Sequence, residues 1–165
     1  MGKAVTLLML AVAIAAATEW VRTYNGGYGA DRANAIVLSP AGVPYVTGFV
    51  TGSDGSADFL TLRYNPTAGD SRLATWRYRS GLSGFHDEGN DIAVGAGGAV
   101  FATGYSMDST IFEEEPGEPD TLFFGRVTTL KYDDTLALQW ADHVAPDDDE
   151  EEAPEPSGKA IVARG

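Results

Sequence analysis

The sequence predicts an all-β fold assembled from a four-stranded unit that repeats. Composition points there first. Twenty glycines and eight prolines among 165 residues make a turn-rich chain and argue against a helical bundle. Residue pattern points there next. After residue 17 no stretch sustains helical periodicity, whereas short runs of Val, Ile, Thr, Tyr and Phe are bounded by Gly, Pro, Asn, Asp and Ser. The third observation is internal repetition, which bears on architecture before any local reading does. Trp20, Trp76 and Trp140 are spaced 56 and 64 residues apart. Sixteen residues after Trp20 lies Ile36 of Ala35-Ile36-Val37-Leu38; sixteen after Trp76 lies Ile92 of Ile92-Ala93-Val94. Twenty-eight after each comes the glycine of Tyr45-Val46-Thr47-Gly48 and of Phe101-Ala102-Thr103-Gly104.

The N-terminus reads as an address. Met1-Gly2-Lys3 carries one positive charge, and Ala4–Ala17 is apolar apart from Thr6. Fourteen helical residues reach about 21 Å, short of the roughly 30 Å of a bilayer's hydrocarbon. The length suits a signal-peptide core, and Ala15 and Ala17 supply the small residues for cleavage before Thr18. A buried apolar helix of the mature fold is the alternative. The myristoylation pattern in Met-Gly-Lys-Ala-Val-Thr is set aside, because a secretory core follows at once. The expected location is secreted, periplasmic or at the cell surface, with no membrane span after cleavage.

Residues 18–32 are expected to hold an orphan outer strand, Trp20–Tyr24, and a connection. Residues 33–80 form the first unit, with strands Ala35–Leu38, Tyr45–Val50, Phe59–Tyr64 and Thr75–Tyr78. Pro40-Ala41-Gly42 is the tight turn between its first two strands. Leu60, Leu62 and Tyr64 alternate with Thr61 and Arg63, the period of a strand with two unlike faces. Residues 81–143 form the second unit, with strands Asp91–Val94, Val100–Tyr105, Val127–Tyr132 and Leu138–Asp142. An acidic insertion, 106–126, separates its middle strands. Residues 144–158 are an acidic, proline-containing loop. Residues 159–165 begin a third unit.

A recurring four-stranded unit of this length is the size of a β-propeller blade. Trp20, Tyr24-Asn25-Gly26, Asp31, Ala35-Ile36-Val37, Gly42, Tyr45–Gly48, Asp58–Asn65 and Trp76 together resemble the bacterial SBBP repeat. The resemblance spans residues 20–142, with a weaker second copy in which Phe-Ala-Thr-Gly replaces Tyr-Val-Thr-Gly. It implies propeller blades on secreted or surface proteins, and no shared catalytic residues. Propellers close with about four to eight blades. A partial propeller of two blades is therefore expected to be the N-terminal part of a longer protein, or to close by forming a homo-oligomer.

Charge and chemistry narrow the function. Twenty-four acids face eleven bases, a net charge of −13, which disfavours nucleic acid as a partner. The chain has no cysteine, which excludes disulfides and thiol chemistry. Acids cluster at Glu113-Glu114-Glu115 with Glu118 and Asp120, and at Asp147-Asp148-Asp149 through Glu155. Both clusters fall in connections that leave the same end of an antiparallel unit, so one acidic rim is expected. With Asp54 and Asp58 they are candidate ligands for calcium, which takes several hard oxygens in flexible geometry. A solvated charge run, or adaptation to a salty habitat, accounts for the same residues. His86-Asp87-Glu88 is read as a solvated turn with metal-binding potential, and His143 as a surface residue. Gly-x-Ser-x-Gly, His-Glu-x-x-His and Walker patterns are absent from the sequence. The expected function is binding or scaffolding, with a protein or polysaccharide as ligand. The alternative is part of a propeller hydrolase, lyase or quinone-dependent dehydrogenase.

Overall fold

The computed structural model describes residues 21, 23–66, 72–78, 85–115, 118–144 and 158–163, and along 72–78 and 108–124 it describes the backbone. The expected signal peptide, Trp20 and Asp147, Asp148 and Asp149 lie outside the described residues. The fold is all-β. Eight strands make two four-stranded antiparallel sheets, and no α-helix occurs among the described residues. Sheet 1 holds β1 (Arg32–Leu38), β2 (Pro44–Thr51), β3 (Ala57–Tyr64) and β4 (Arg72–Tyr78), paired in that order. Sheet 2 holds β5 (Glu88–Val94), β6 (Val100–Glu115), β7 (Glu118–Tyr132) and β8 (Leu138–Val144), likewise in order. Every expected strand of the two units falls inside an observed one.

The repeat is visible in the turns and registers. Gly42, at φ 75°, closes the β1–β2 turn by donating its N–H to Ser39 O at 2.8 Å. Gly98, at φ 84°, closes the β5–β6 turn by donating to Gly95 O at 3.3 Å. Gly48 and Gly104 have a steric cause. A Cβ would stand 1.9 Å from Arg32 O in the first sheet and 1.8 Å from Glu88 O in the second. In both places the facing strand bulges, between Ala33 and Ala35 and between Gly89 and Asp91. The bulge presses backbone into the space a side chain would fill. Asp31 and Asp87 are equivalent too: their Oδ1 atoms accept the N–H of Thr51 and Met107, each at 3.0 Å.

Three expectations change. The segment 106–126 is no loop: β6 and β7 run on as a long hairpin, paired from Val100↔Tyr132 out to Glu115↔Glu118. Thr110-Ile111-Phe112 and Thr121-Leu122-Phe123-Phe124 are β-branched, apolar and aromatic runs suited to strands, although the neighbouring acids suggested a connection. The orphan strand is not formed among its described residues, Val21, Thr23 and Tyr24. Tyr24 packs instead on Val50, Leu60, Leu62 and Tyr64. Finally, Trp76 and Trp140 are not ladder equivalents. Trp76 opposes Thr61, whereas Trp140 opposes Lys131, the counterpart of Arg63. Trp76 lies twelve residues after Tyr64 and Trp140 eight after Tyr132; a connection two residues shorter makes up half of that difference and leaves Trp140 two residues out of register.

The sheets stack face to face in one sense. Each has a forward face, carrying Tyr45, Thr47, Phe59 and Thr61 in sheet 1, and a rear face. The rear face of sheet 2 (Ile92, Val100, Ala102, Leu130 and Tyr132) packs on Tyr45 and Phe59 of the forward face of sheet 1. Tyr45 donates its hydroxyl to Asp134 O at 2.7 Å, and the hydroxyls of Thr61 and Tyr132 meet at 3.2 Å. Gly89 permits the close approach, since its Cβ would lie 2.1 Å from Thr47 Oγ1 and 2.7 Å from Phe59 Cε1. Asp87 N–H donates to Ala57 O at 2.8 Å, joining the sheets along the backbone.

Candidate functional site

The rear face of sheet 1 carries a second apolar cluster outside this junction: Val50, Leu60, Leu62 and Tyr64 are buried, with Val46 and Tyr24 packed against them. Val46, Leu60, Leu62 and Tyr64 line a hollow of about 220 Å³, with Tyr24 at one side and Arg32 and Asp31 at its rim. β-strand alternation places these side chains there: Val46 opposes Leu62, and Ile36 opposes Val46. Ile36 and Leu38 complete the face and are 66% and 62% exposed. Their position in sheet 2 is covered: Ile92, the counterpart of Ile36, is 5% exposed. Exposure on this face is thus concentrated on its edge strand, β1.

Arg32 ties the rim to the neighbouring sheet. Its guanidinium lies 3.3 Å from Glu88 Oε1 and 5.9 Å from the Phe49 ring centre. Asn34 donates from Nδ2 to Glu88 Oε1 at 2.5 Å and to Gly89 O at 2.8 Å. Asp31 Oδ2 accepts Gly26 N–H at 2.5 Å, which holds the incoming chain over the edge of the sheet.

The expected metal ligands that the structure describes lie on separate elements. Asp54 sits exposed on the β2–β3 turn, where its Oδ1 accepts the Ser56 hydroxyl at 2.7 Å. Asp58 is buried on β3, opposite Val50. Glu113, Glu114 and Glu115 end β6 at the far tip of the hairpin. His86, Asp87 and Glu88 diverge: His86 is exposed beside Ala57, Asp87 is buried on Met107 N–H, and Glu88 faces Arg32 and Asn34. Among the described residues no group of three or more His, Cys, Asp or Glu side chains could hold a metal ion.

His143 departs from its reading as a plain surface residue. It is half-buried, and its Nδ1 lies 3.0 Å from Thr128 Oγ1, which lies 2.6 Å from Ser106 Oγ. Ser106 and Thr128 are buried where sheet 1 has Val50 and Leu60. Three polar side chains on three strands satisfy one another, as buried polar groups must. The swap from apolar to hydroxyl at matched positions was the available signal in the sequence.

Comparison of the chain with family models, curated proteins and solved structures finds no match in any of the three.

Proposed function

We propose that the chain is an exported repeat module of β-propeller type that works by binding or scaffolding, with no catalysis of its own. One observation carries the reading: successive four-stranded units stack rear face on forward face. The stack continues past sheet 2. Gly158–Ala163 lies on the forward face of sheet 2 as β5 lies on that of sheet 1. Gly158 N–H donates to Gly104 O at 3.2 Å, and Ile161 N–H donates to Asp91 Oδ2 at 2.9 Å. A Cβ on Gly158 would stand 2.3 Å from Thr103 Oγ1, repeating the contact of Gly89 with Thr47. Units of this kind laid side by side about an axis are what a propeller requires. The titratable side chains singled out in the sequence serve the fold: Asp87 caps a strand, Glu88 joins two sheets and His143 ends a hydroxyl chain.

Export is tested by expressing the chain in a bacterial host and sequencing the N-terminus of the fractionated product. Thr18 is the expected first residue, outside the cytoplasm. A cytoplasmic product that keeps Ala4–Ala17 overturns that part of the reading. Binding is tested on the same material against immobilised polysaccharides and, by calorimetry, against millimolar calcium. Retention on one glycan class supports a ligand-binding module, and absence of heat removes calcium.

A further inference from the structure

We infer that the forward face of sheet 2 carries a binding site for a neutral pyranose chain, centred on Trp140 of the outer strand. The inference deepens the reading of the chain as a binding module and rests on it. The ladder builds the site from two adjacent rows. Trp140 on β8 opposes Lys131 on β7, which opposes Phe101 on β6. In the next row Asp142 opposes Thr129, which opposes Thr103. Residues paired in this way share one face of the sheet. The Trp140 and Phe101 rings meet edge to face, with centres 6.3 Å apart and planes at 60°. Lys131 Nζ stands 5.6 Å from the centre of the Phe101 ring. Phe101 and Lys131 thus support Trp140 from one side, and its indole is still 42% exposed.

Stacking does not claim this place. Sheet 2 lies on β1, β2 and β3 of sheet 1 and hardly reaches β4, the counterpart of β8. Gly158–Ala163 keeps to the same inner side of sheet 2. It meets Gly104 on β6, Asp91 on β5 and the β5–β6 turn at Gly95. A further sheet laid on sheet 2 as sheet 2 lies on sheet 1 would therefore leave Trp140 and Asp142 uncovered.

Chemistry selects the occupant. Lys131 Nζ, the Asp142 carboxylate and the Trp140 indole N–H make no hydrogen bond or ion pair among the described residues. Asp31, Asp87, Glu88 and Asp133, by contrast, are all engaged by the fold. An anionic ligand would be drawn by Lys131 but repelled by Asp142 and by the net charge of −13, and a cationic one would be repelled by Lys131. A neutral hydroxyl suits both groups, because it donates to a carboxylate and accepts from an ammonium or an indole N–H. A pyranose combines such hydroxyls with an apolar C–H face, which fits the exposed face of a tryptophan. A few polar groups set around an aromatic surface are what orients a small ligand. An equatorially linked chain keeps its ring faces flat along its length, so cellohexaose is the probe.

Nuclear magnetic resonance titration of the isotope-labelled chain with cellohexaose tests this. Saturable shifts are expected at the Trp140 indole N–H and at the Lys131 and Asp142 amides, with half-saturation at about 1 mM. Trp140→Leu keeps an apolar side chain beside Phe101 but removes the platform, and should weaken binding about tenfold. Asp142→Asn and Lys131→Met should each weaken it about threefold, and they carry the test if Trp140→Leu loses its strand resonances. The same hexamer with every hydroxymethyl group oxidised to a carboxylate should bind about tenfold more weakly. Ile36→Ala, on sheet 1, should leave binding unchanged. No shift at Trp140 up to about 10 mM cellohexaose, in a chain with dispersed strand resonances, overturns the site and leaves the binding-module reading standing. Binding that survives Trp140→Leu, or both polar variants, places the glycan elsewhere and overturns it equally. An acidic hexamer that binds as well as the neutral one overturns the choice of ligand. A wild type without strand resonances overturns the site together with the stacked-sheet reading beneath it.

Discussion

Ile36 and Ile92 are the same residue at the same position of two units, and they differ in one respect. Ile92 is covered by sheet 1 and is 5% exposed; Ile36 lies on the rear face of sheet 1, outside that junction, and is 66% exposed. The local structure is otherwise shared. Both lie on the first strand, both follow a bulge, and both face the second strand of their sheet at Val46 and Ala102. The difference teaches that the first strand of a unit is covered by the junction with its neighbour, whereas the inner strands of sheet 1 bury Val50, Leu60, Leu62 and Tyr64 outside that junction.

The largest effect should come from that pair. Ile92→Ala removes a buried side chain from the covered junction and is expected to cost about 2–5 kcal/mol. Ile36→Ala removes an exposed one and should stay within about 0.5 kcal/mol. Chemical denaturation at low protein concentration, where chains do not meet, measures both. Equal losses would mean that the stacking of sheet 2 on sheet 1 does not stabilise the chain.

A smaller effect separates the junction by pH. Tyr132 lies in the covered junction, and burial pushes its hydroxyl well above the ordinary value of 10.0, with the Thr61 hydroxyl opposing the shift in part. A folded pKa above the unfolded one means that the unfolded chain loses its proton first. Stability is therefore unaffected below pH 10 and falls as pH rises above it. Tyr132→Phe should flatten that alkaline slope while costing about 1 kcal/mol at neutral pH for the lost hydrogen bond to Thr61. Denaturant midpoints measured between pH 8 and about 11 check this. An unchanged slope in the variant would show that another group controls it.

Much of this was legible in the sequence because it rests on short-range pattern. Alternation in Leu60-Thr61-Leu62-Arg63-Tyr64 and the turn glycines Gly42 and Gly98 report local geometry, and the strands lie where that geometry puts them. The hairpin 106–126 was hidden because a strand that protrudes from its sheet need not be apolar; its acids read as a loop. The shift of Trp140 against Trp76 was hidden because a matched residue type does not fix ladder register: Trp140 stands four residues nearer Tyr132 than Trp76 does to Tyr64, and the shorter β7–β8 connection makes up only two of them. The rear face of sheet 1 was half legible. Val46, Leu60 and Leu62 announce an apolar face, but which of two apolar faces meets the next sheet depends on the direction of stacking, and Gly89 reveals that only in three dimensions.

The smallest effect sharpens the comparison from the acid side. The β7–β8 turn belongs to the covered junction: it offers Asp134 O to Tyr45 and buries Leu136, which sits at φ 68° against the cost of a side chain there. Asp133 organises that turn. Its Oδ1 accepts the Thr135 hydroxyl at 2.7 Å, the Ala137 N–H at 3.0 Å and the Thr135 N–H at 2.9 Å. The Thr135 hydroxyl, then the Ala137 amide, draw its carboxyl below the ordinary 3.8, with a small opposing desolvation and a further amide from Thr135. A depressed folded pKa gives stability that is present above pH 3.8 and is lost as pH falls through the lower folded value. Because the carboxylate is fully exposed, the loss should be slight. Asp133→Asn should remove that acid slope and loosen Leu136, seen as faster amide exchange at Leu136 and Ala137. Exchange at Ile36, on the rear face of sheet 1, should not change. If it rises too, the turn acts on the whole of sheet 1 and the two junction faces are not independent.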